Sequence, residues 1–268
     1  TFFFAHGYIF NSIIHSFGII SFLYFFIKNK ILFTKETKNI LILSLILLIG
    51  IYVFKNHDDF PYYHLTYSLN LSNNPFIVGT GVFSHGFKTS SSLFYFHSLL
   101  YMPFIEYYLF HAGPFFILIF FNFHVLNKLR LKYLNKEIDF IYFFSLLNFI
   151  FVNVVFYRLG EHGTDRSAQI LILLLFIEIF IFISLQDTFD EHLSKLYILI
   201  ALIMSLKAFY VLYLITIIPV LTIYYKNYKL KKSIYLITKN NFFLIFILTI
   251  SLVLVTNLIN TGCLLYPI

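Results

Sequence analysis

The stretch HDDFPYYH (residues 57–64) opens the longest polar interval in a chain that is otherwise almost continuously apolar. It places two carboxylates and two imidazoles directly after a hydrophobic segment that ends near Phe54. A charged side chain at the centre of a bilayer costs at least about 2.5 kcal/mol, so such a cluster belongs at the membrane surface or in a wet cavity. We therefore expect the remaining chain to be a scaffold that holds this cluster on one face of a membrane.

The composition is typical of an integral membrane protein. Of the 268 residues, 60% are hydrophobic and 12% are charged, and the mean hydropathy is +0.84; soluble domains carry roughly 25% charged residues. The net charge of +7 comes from Lys and Arg in short loops between apolar segments, where they indicate topology and not nucleic-acid binding. The chain does not begin with Met and ends just after an apolar segment, so we expect a fragment of a longer protein.

The apolar segments predict an all-α, polytopic transmembrane bundle of about 7–8 spans that forms one domain over residues 1–268. A span needs roughly 17 to 25 residues. The stretch 195–225 is longer than that and has Lys207 at its middle; it is either one long span or two shorter helices that turn near Lys207, which we favour. The other predicted spans cover residues 4–27, 40–54, 104–126, 140–156, 170–185 and 242–258.

The distribution of basic residues predicts the orientation of the chain. Lys and Arg cluster in 28–38, 128–136 and 226–239, and the positive-inside rule places these loops in the cytoplasm. The loops at about 55–103 and 157–169 then lie on the exoplasmic face. Within the first, residues 90–101 predict a short amphipathic helix in the membrane interface. Lys207 would lie towards the same face, as a substrate-binding residue or as a lysine that reaches the interface.

The adjacent carboxylates Asp58 and Asp59 are the candidate catalytic residues. A carboxylate near an apolar boundary loses solvation, which raises its pKa and suits it to act as a general base. His57 and His64 are candidate substrate-binding residues, and Asp58 with His57 offers ligands for Mg²⁺ or Mn²⁺. The alternative interpretation is a solvated loop at the end of a helix.

A second polar cluster lies in the loop at 157–169. Two of the three Arg in the chain, Arg158 and Arg166, lie in this loop. A planar guanidinium group can donate two parallel hydrogen bonds to two oxygens of one phosphate. We take both, with Asp165 as an orienting carboxylate, to be substrate-binding residues; the alternative is local pairing at the surface. Glu178 lies in the middle of a predicted span, where it should face the bundle interior and be paired or protonated.

This layout resembles the GT-C superfamily of multi-span glycosyltransferases, which carry an acidic motif, often Asp-Asp, early in a large exoplasmic loop directly after a span. Asp58-Asp59 in HDDFPYYHL matches that place. The chain is also similar to uncharacterised bacterial multi-span membrane proteins with an H-D-D-F-x-Y-Y-H-L stretch and a later G-T-D.

The resemblance implies transfer of a sugar from a polyprenyl-phosphate donor to an exoplasmic glycan, lipid or protein acceptor. The acidic residue would act as a base on the acceptor or hold a divalent cation, while Arg158 and Arg166 would hold the lipid phosphate. It also implies a bacterial inner (plasma) membrane, with the site facing the periplasm or the exterior, in contact with membrane lipids.

Two alternatives stay open: an O-antigen-type polymerase and a multi-span transporter of a lipid-linked or small polar substrate. Glu178 and the break at Lys207 favour a transporter. The polar residues concentrate on one face and no half-repeat is visible, which favours an enzyme.

Overall fold

The residues that the structure describes form helices, as expected for a chain that must bond its backbone groups internally when it lies in lipid. The computed structural model describes residues 4–29, 34–52, 58–158, 163–184 and 189–264, and within these ranges it has no strand. The predicted all-α class is confirmed. The α-helices are α1 (Tyr8–Lys28), α2 (Lys35–Leu47), α3 (Ile49–Tyr52), α4 (Leu65–Asn73), α5 (Thr80–Phe83), α6 (Ser92–Leu99), α7 (Ala112–Leu134), α8 (Phe140–Val155), α9 (Thr164–Ser184), α10 (Phe189–Leu206), α11 (Ile217–Lys239) and α12 (Asn241–Thr261).

Shorter helical turns connect several of these elements. A π-helical turn covers Phe60–His64, and 3-10 helices cover His85–Lys88, Tyr107–His111 and Ala208–Thr216.

Local sequence signals fix several helix ends. The Thr34 hydroxyl accepts the amide N–H of Thr37 before α2, and the Asn240 side chain accepts that of Phe242 before α12. Asp139 accepts the N–H of Tyr142 at 2.9 Å before α8. Such side chains satisfy amide groups that the first helical turn leaves without partners. Gly262 ends α12 in the left-handed conformation, at φ 78°.

Within the described ranges, five helical segments are long enough and apolar enough to cross a membrane: Tyr8–Lys28, Tyr107–Leu134, Thr164–Ser184, Ala208–Lys226 and Asn241–Thr261. The membrane class is therefore supported, whereas the count of 7–8 spans and the orientation stay predictions. α8, with 16 residues, and α2, with 13, are shorter than the roughly 20 residues that a span needs.

The structure corrects two predicted boundaries. The span expected from residue 104 begins at Tyr107, because the chain first makes a tight turn in which Glu106 donates its amide N–H to Met102 at 2.8 Å. The amphipathic helix expected at 90–101 is α6, Ser92–Leu99, and its buried face carries Leu93, Phe94, His97 and Ser98.

The chain divides into two compact units. The prediction of a single domain stays a prediction. The first unit comprises residues 1–78, 92–127 and 149–167. In it α4 packs on α6, with the Tyr67 and Phe94 rings 5.2 Å apart. The first turns of α1 bind the end of α6: the buried Asn11 amide donates to carbonyl oxygens of Ser98 and Tyr101 at 2.8 Å.

The second unit comprises residues 79–91, 128–148 and 168–268. Here α10 packs along α12, with the Tyr197 ring 4.9 Å from Phe246. At the other end of α12, Asn260 is fully buried: its amide donates to the Phe87 carbonyl at 2.7 Å and its oxygen accepts the Gly81 N–H at 3.1 Å. The segment 79–91 is therefore held on the end of α12. Gly79 precedes α5 in the left-handed conformation, with φ 75°.

The predicted break at Lys207 is confirmed. α10 ends at Leu206, Lys207 is extended, and a 3-10 helix follows. The ring of Tyr224 in α11 stacks on Phe182, at the end of α9 from which the chain continues into α10. Since Tyr224 returns to the end where α10 begins, the chain reverses between α10 and α11.

α11 continues to Lys239, beyond the predicted end at 225. The Ser233 hydroxyl donates to the carbonyl of Tyr224 at 2.8 Å. In a straight helix, residues nine apart are about 13 Å distant. The helical path therefore bends sharply between these residues.

Candidate functional site

The acidic stretch forms the start of a continuous helical segment in the first unit. Asp58 is exposed in a turn, and Asp59 is half-buried at the first helical position. Pro61 is tolerated in this first turn because its missing N–H would have no partner there. The Leu65 N–H donates to the Phe60 carbonyl, which winds Phe60–His64 as a π-turn before α4. Such turns recur at functional sites.

His64 turns inward from this segment and contacts the second predicted loop. It is 6% exposed, and its ring lies between Tyr63 and Phe94, with centroids 4.3 and 5.2 Å away. A Cβ placed on Gly163 would lie only 2.3 Å from Cε1 of His64. The backbone at Gly163 therefore passes directly over the imidazole, so the structure brings the HDDFPYYH stretch and the 157–169 loop into contact.

The charged residues of the second loop lie on either side of Gly163. Arg158 is half-exposed; its Nε donates to the Tyr157 hydroxyl at 2.9 Å, and its guanidinium carbon is 5.4 Å from that ring. Asp165 and Arg166 are half-buried in the first turn of α9. A carboxylate in this position is favoured by the helix dipole.

The predicted metal site rests in part on His57, which lies outside the described residues. Among the residues that are described, no group of three or more His, Cys, Asp or Glu side chains has the geometry to hold a metal ion. A cation held by Asp58 and His57 stays a prediction.

Lys207 belongs to the second unit, not to the unit that holds the other site residues. It is half-buried and extended, with φ −163° and ψ 133°, between α10 and the 3-10 helix. The structure therefore assigns it a place at a helix break, while its role in substrate binding stays a prediction.

Two histidines that the sequence did not predict to be site residues lie in the same unit as His64. His97 is buried in α6 and stacks on Phe110, with centroids 5.4 Å apart. His111 stacks on Phe60, the residue that follows Asp59 in the sequence, with ring centroids 5.4 Å apart. Burial, together with the neighbouring imidazoles of His111 and His64, lowers the pKa of His97 to about 3.

Gly113 leaves space for the His97 ring, in the same way that Gly163 leaves space for the His64 ring. A Cβ on Gly113 would lie 2.9 Å from His97 Nε2 and 2.7 Å from Leu93 Cδ1. The sequence did contain a signal for His97, which shares the helical face of α6 with Leu93 and Phe94.

Glu178 is buried and paired, as predicted, within the second unit. It is 1% exposed and accepts a hydrogen bond from Lys128 Nζ of α7. Nδ1 of His192, in the first turn of α10, lies 3.2 Å from its other carboxylate oxygen. One carboxylate therefore joins three helices.

Comparison with family models, curated proteins and solved structures finds no match to this chain. The geometry of the first unit, with an acidic stretch, an arginine-bearing loop and three imidazoles, defines the candidate site.

Proposed function

We propose that this chain transfers a sugar from a polyprenyl-phosphate donor to an exoplasmic acceptor, with the site in the first unit. The observation that supports this proposal is the contact between His64 and Gly163. It brings a segment that starts with the exposed Asp58 and the half-buried Asp59 against a loop that carries arginines on both sides. The acceptor needs a carboxylate to take its proton, and the departing phosphate needs a guanidinium to stabilise its charge, so the reaction needs both groups in one site.

The residues divide the reaction between them. The acceptor hydroxyl forms a bond to the anomeric carbon of the sugar and gives its proton to Asp58 or Asp59. The bond from that carbon to the phosphate oxygen breaks, and the polyprenyl phosphate leaves with the bonding electrons. Arg158 and Arg166 stabilise the phosphate, because guanidinium groups bind its oxygens through charge-assisted hydrogen bonds. His64, held under Gly163, positions the backbone of the arginine-bearing loop against the acidic segment.

The experiment uses the full chain in proteoliposomes with polyprenyl-phosphate hexoses and pentoses carrying a radiolabelled sugar. The release of labelled sugar from the lipid is measured in the presence of a mixed acceptor extract. Asp58→Asn and Asp59→Asn are tested separately, with Glu137→Gln as the control at an exposed carboxylate of the second unit. We expect one of the Asp variants to abolish release and the control to retain it.

Arginine variants test the phosphate role. One charge-assisted hydrogen bond contributes about 1.5–3 kcal/mol, so Arg158→Ala or Arg166→Ala should lower catalytic efficiency roughly 10- to 150-fold. Lys should recover only part of this loss, because it lacks the planar fork. Full activity in both Asp→Asn variants would remove the catalytic assignment. Products that grow by whole repeat units would favour the O-antigen-type polymerase.

A transporter is the second candidate, favoured by the buried Lys128–Glu178 pair and the helix break at Lys207. Ionisable groups within spans and interrupted helices are features of transporters. The double variant Glu178→Leu, Lys128→Met discriminates the two proposals, because it removes both charges of the pair together. It should abolish uptake of a lipid-linked or small polar substrate into vesicles if the chain is a transporter, and leave sugar release unchanged if the chain acts in the first unit.

A further inference from the structure

The turn that precedes α7 holds an aromatic side chain out of the protein. Phe104, at the tip of the turn Met102–Glu106, is 102% exposed, and its neighbour Ile105 is 43% exposed. Phe104 and Glu106 have positive φ angles of 68° and 51°. Such angles are uncommon for residues other than Gly and store strain. A strained backbone that presents apolar groups outward indicates a partner for those groups.

The turn lies where two candidate spans begin. The second of these spans starts at Tyr107, the residue directly after the turn. The first starts at Tyr8, whose hydroxyl donates to that of Tyr101 at 2.8 Å, with the two rings stacked 4.6 Å apart. Both candidate spans therefore begin beside residues 101–107.

The chain that leads into the turn lies alongside the first span, not above it. Asn11 binds the Tyr101 carbonyl, and His15 Nε2 lies 2.8 Å from the Leu99 carbonyl. Asn11 and His15 are about one and two turns into α1, so residues 99–101 lie at the depth of its first turns.

We propose that the turn Met102–Glu106 is a membrane anchor that inserts Phe104 and Ile105 among the acyl chains of the surrounding bilayer. Aromatic side chains are favoured at the membrane–water interface, and Tyr108, which is 69% exposed, continues the same surface. Glu106 is exposed beside Tyr107 and stays at the level of the lipid headgroups.

The anchor also sets the height of the candidate site. The 3-10 helix after the turn ends at His111, which stacks on Phe60 next to Asp59. Insertion of Phe104 therefore holds the acidic stretch at the lipid–water boundary. A substrate that reaches Asp58 and Asp59 there presents its reacting group at the membrane surface, as a lipid-linked molecule does. The presence of a lipid-linked substrate at Asp58 and Asp59 rests on the proposed function, whereas the membrane anchor does not.

The chain contains no Trp, so Phe104→Trp introduces a single fluorescent reporter at the tip. The variant is reconstituted in phosphatidylcholine vesicles. Bromine atoms on the acyl chains quench a Trp that lies in lipid, and iodide in the solution on both sides quenches a Trp that lies in water. Phe120→Trp, on the exposed face of α7, is the control for lipid, and Glu137→Trp, in the turn after α7, is the control for water. We expect the Trp at position 104 to show blue-shifted emission that brominated lipid quenches and iodide does not, as for Phe120→Trp.

Two results would overturn the anchor. Emission that is quenched by iodide and not by bromine, as for Glu137→Trp, would place the tip in water. Emission that shifts to the blue only when polyprenyl phosphate is added would show that the tip binds a substrate lipid, not the surrounding bilayer. Size-exclusion profiles like the parent protein's check folding, which the substitution of an exposed side chain should leave unchanged. Transfer assays are not needed, so failure of the anchor and failure of the glycosyltransferase proposal are distinguishable.

Discussion

Replacing Glu178 by Leu should destabilise the second unit strongly, because it leaves the Lys128 ammonium buried without its counter-charge. Breaking a buried ion pair costs about 3–5 kcal/mol. The Lys128 side chain is 15% exposed and relaxes partly towards water, so we expect the lower end, about 3 kcal/mol. Adding Lys128→Met should return most of this loss, because apolar residues of similar size often replace a buried pair without cost.

The control is Glu137→Leu, the same substitution in an exposed pair. Glu137 lies 3.7 Å from Lys132 and is 57% exposed, so its loss should cost less than about 1 kcal/mol. Unfolding is followed by far-ultraviolet circular dichroism in detergent, since the chain has no Trp. A loss of 3 kcal/mol corresponds to a fall in Tm of roughly 6–12 °C. Equal Tm values for the two single variants, or a double variant less stable than Glu178→Leu, would refute this account of the pair.

Three further predictions concern the first unit and the topology. Gly163→Ala should lower stability by about 1–3 kcal/mol, because its Cβ would overlap the His64 ring, and His64→Ser in the same chain should restore thermal stability without restoring sugar release. Because the pKa of His97 is lowered to about 3, the unfolded chain takes up a proton below pH 6.5 that the folded chain does not. Stability is therefore lost as the pH falls from 6.5 towards 3. Between pH 7.5 and 5.5, His97 should account for a loss of about 1.4 kcal/mol in the free energy of unfolding, and His97→Leu should not show this loss. If the Tm of His97→Leu depends on pH as strongly as that of the parent protein, His97 is not the source. Single cysteines introduced at the exposed positions 73 and 231, with Cys263→Ser, should be labelled from opposite faces of the membrane. Labelling of both from outside would reject the predicted orientation.

Class and broad layout follow from local properties of the sequence. Apolar segments of the right length predict helices, and the charge of Lys207 inside a long apolar stretch predicts the break that the structure has. The burial of Glu178 follows in the same way, since a carboxylate in the middle of a span must face inward.

The partners of these groups are not visible in one sequence. Lys128 lies 50 residues before Glu178 and His192 lies 14 after it, and nothing local distinguishes them from other Lys and His residues. The roles of Gly113 and Gly163 are equally hidden, because a missing Cβ matters only once an imidazole lies against it. His97 is set on the buried face of α6 by its helical position, but its nearness to His64 and His111 depends on how separate segments pack.

The 3-10 helix at Ala208–Thr216 changes how far a short segment can reach. Its nine residues rise about 2.0 Å each, and the ten α-helical residues from Ile217 to Lys226 rise about 1.5 Å each. Together they extend about 33 Å, enough to cross a hydrocarbon core of about 30 Å, whereas 19 residues wound entirely as α-helix would extend about 28 Å. Rewinding this part of the chain would shorten the segment by 4 to 5 Å, about the rise of one helical turn, and would draw Lys207 by the same distance towards α11.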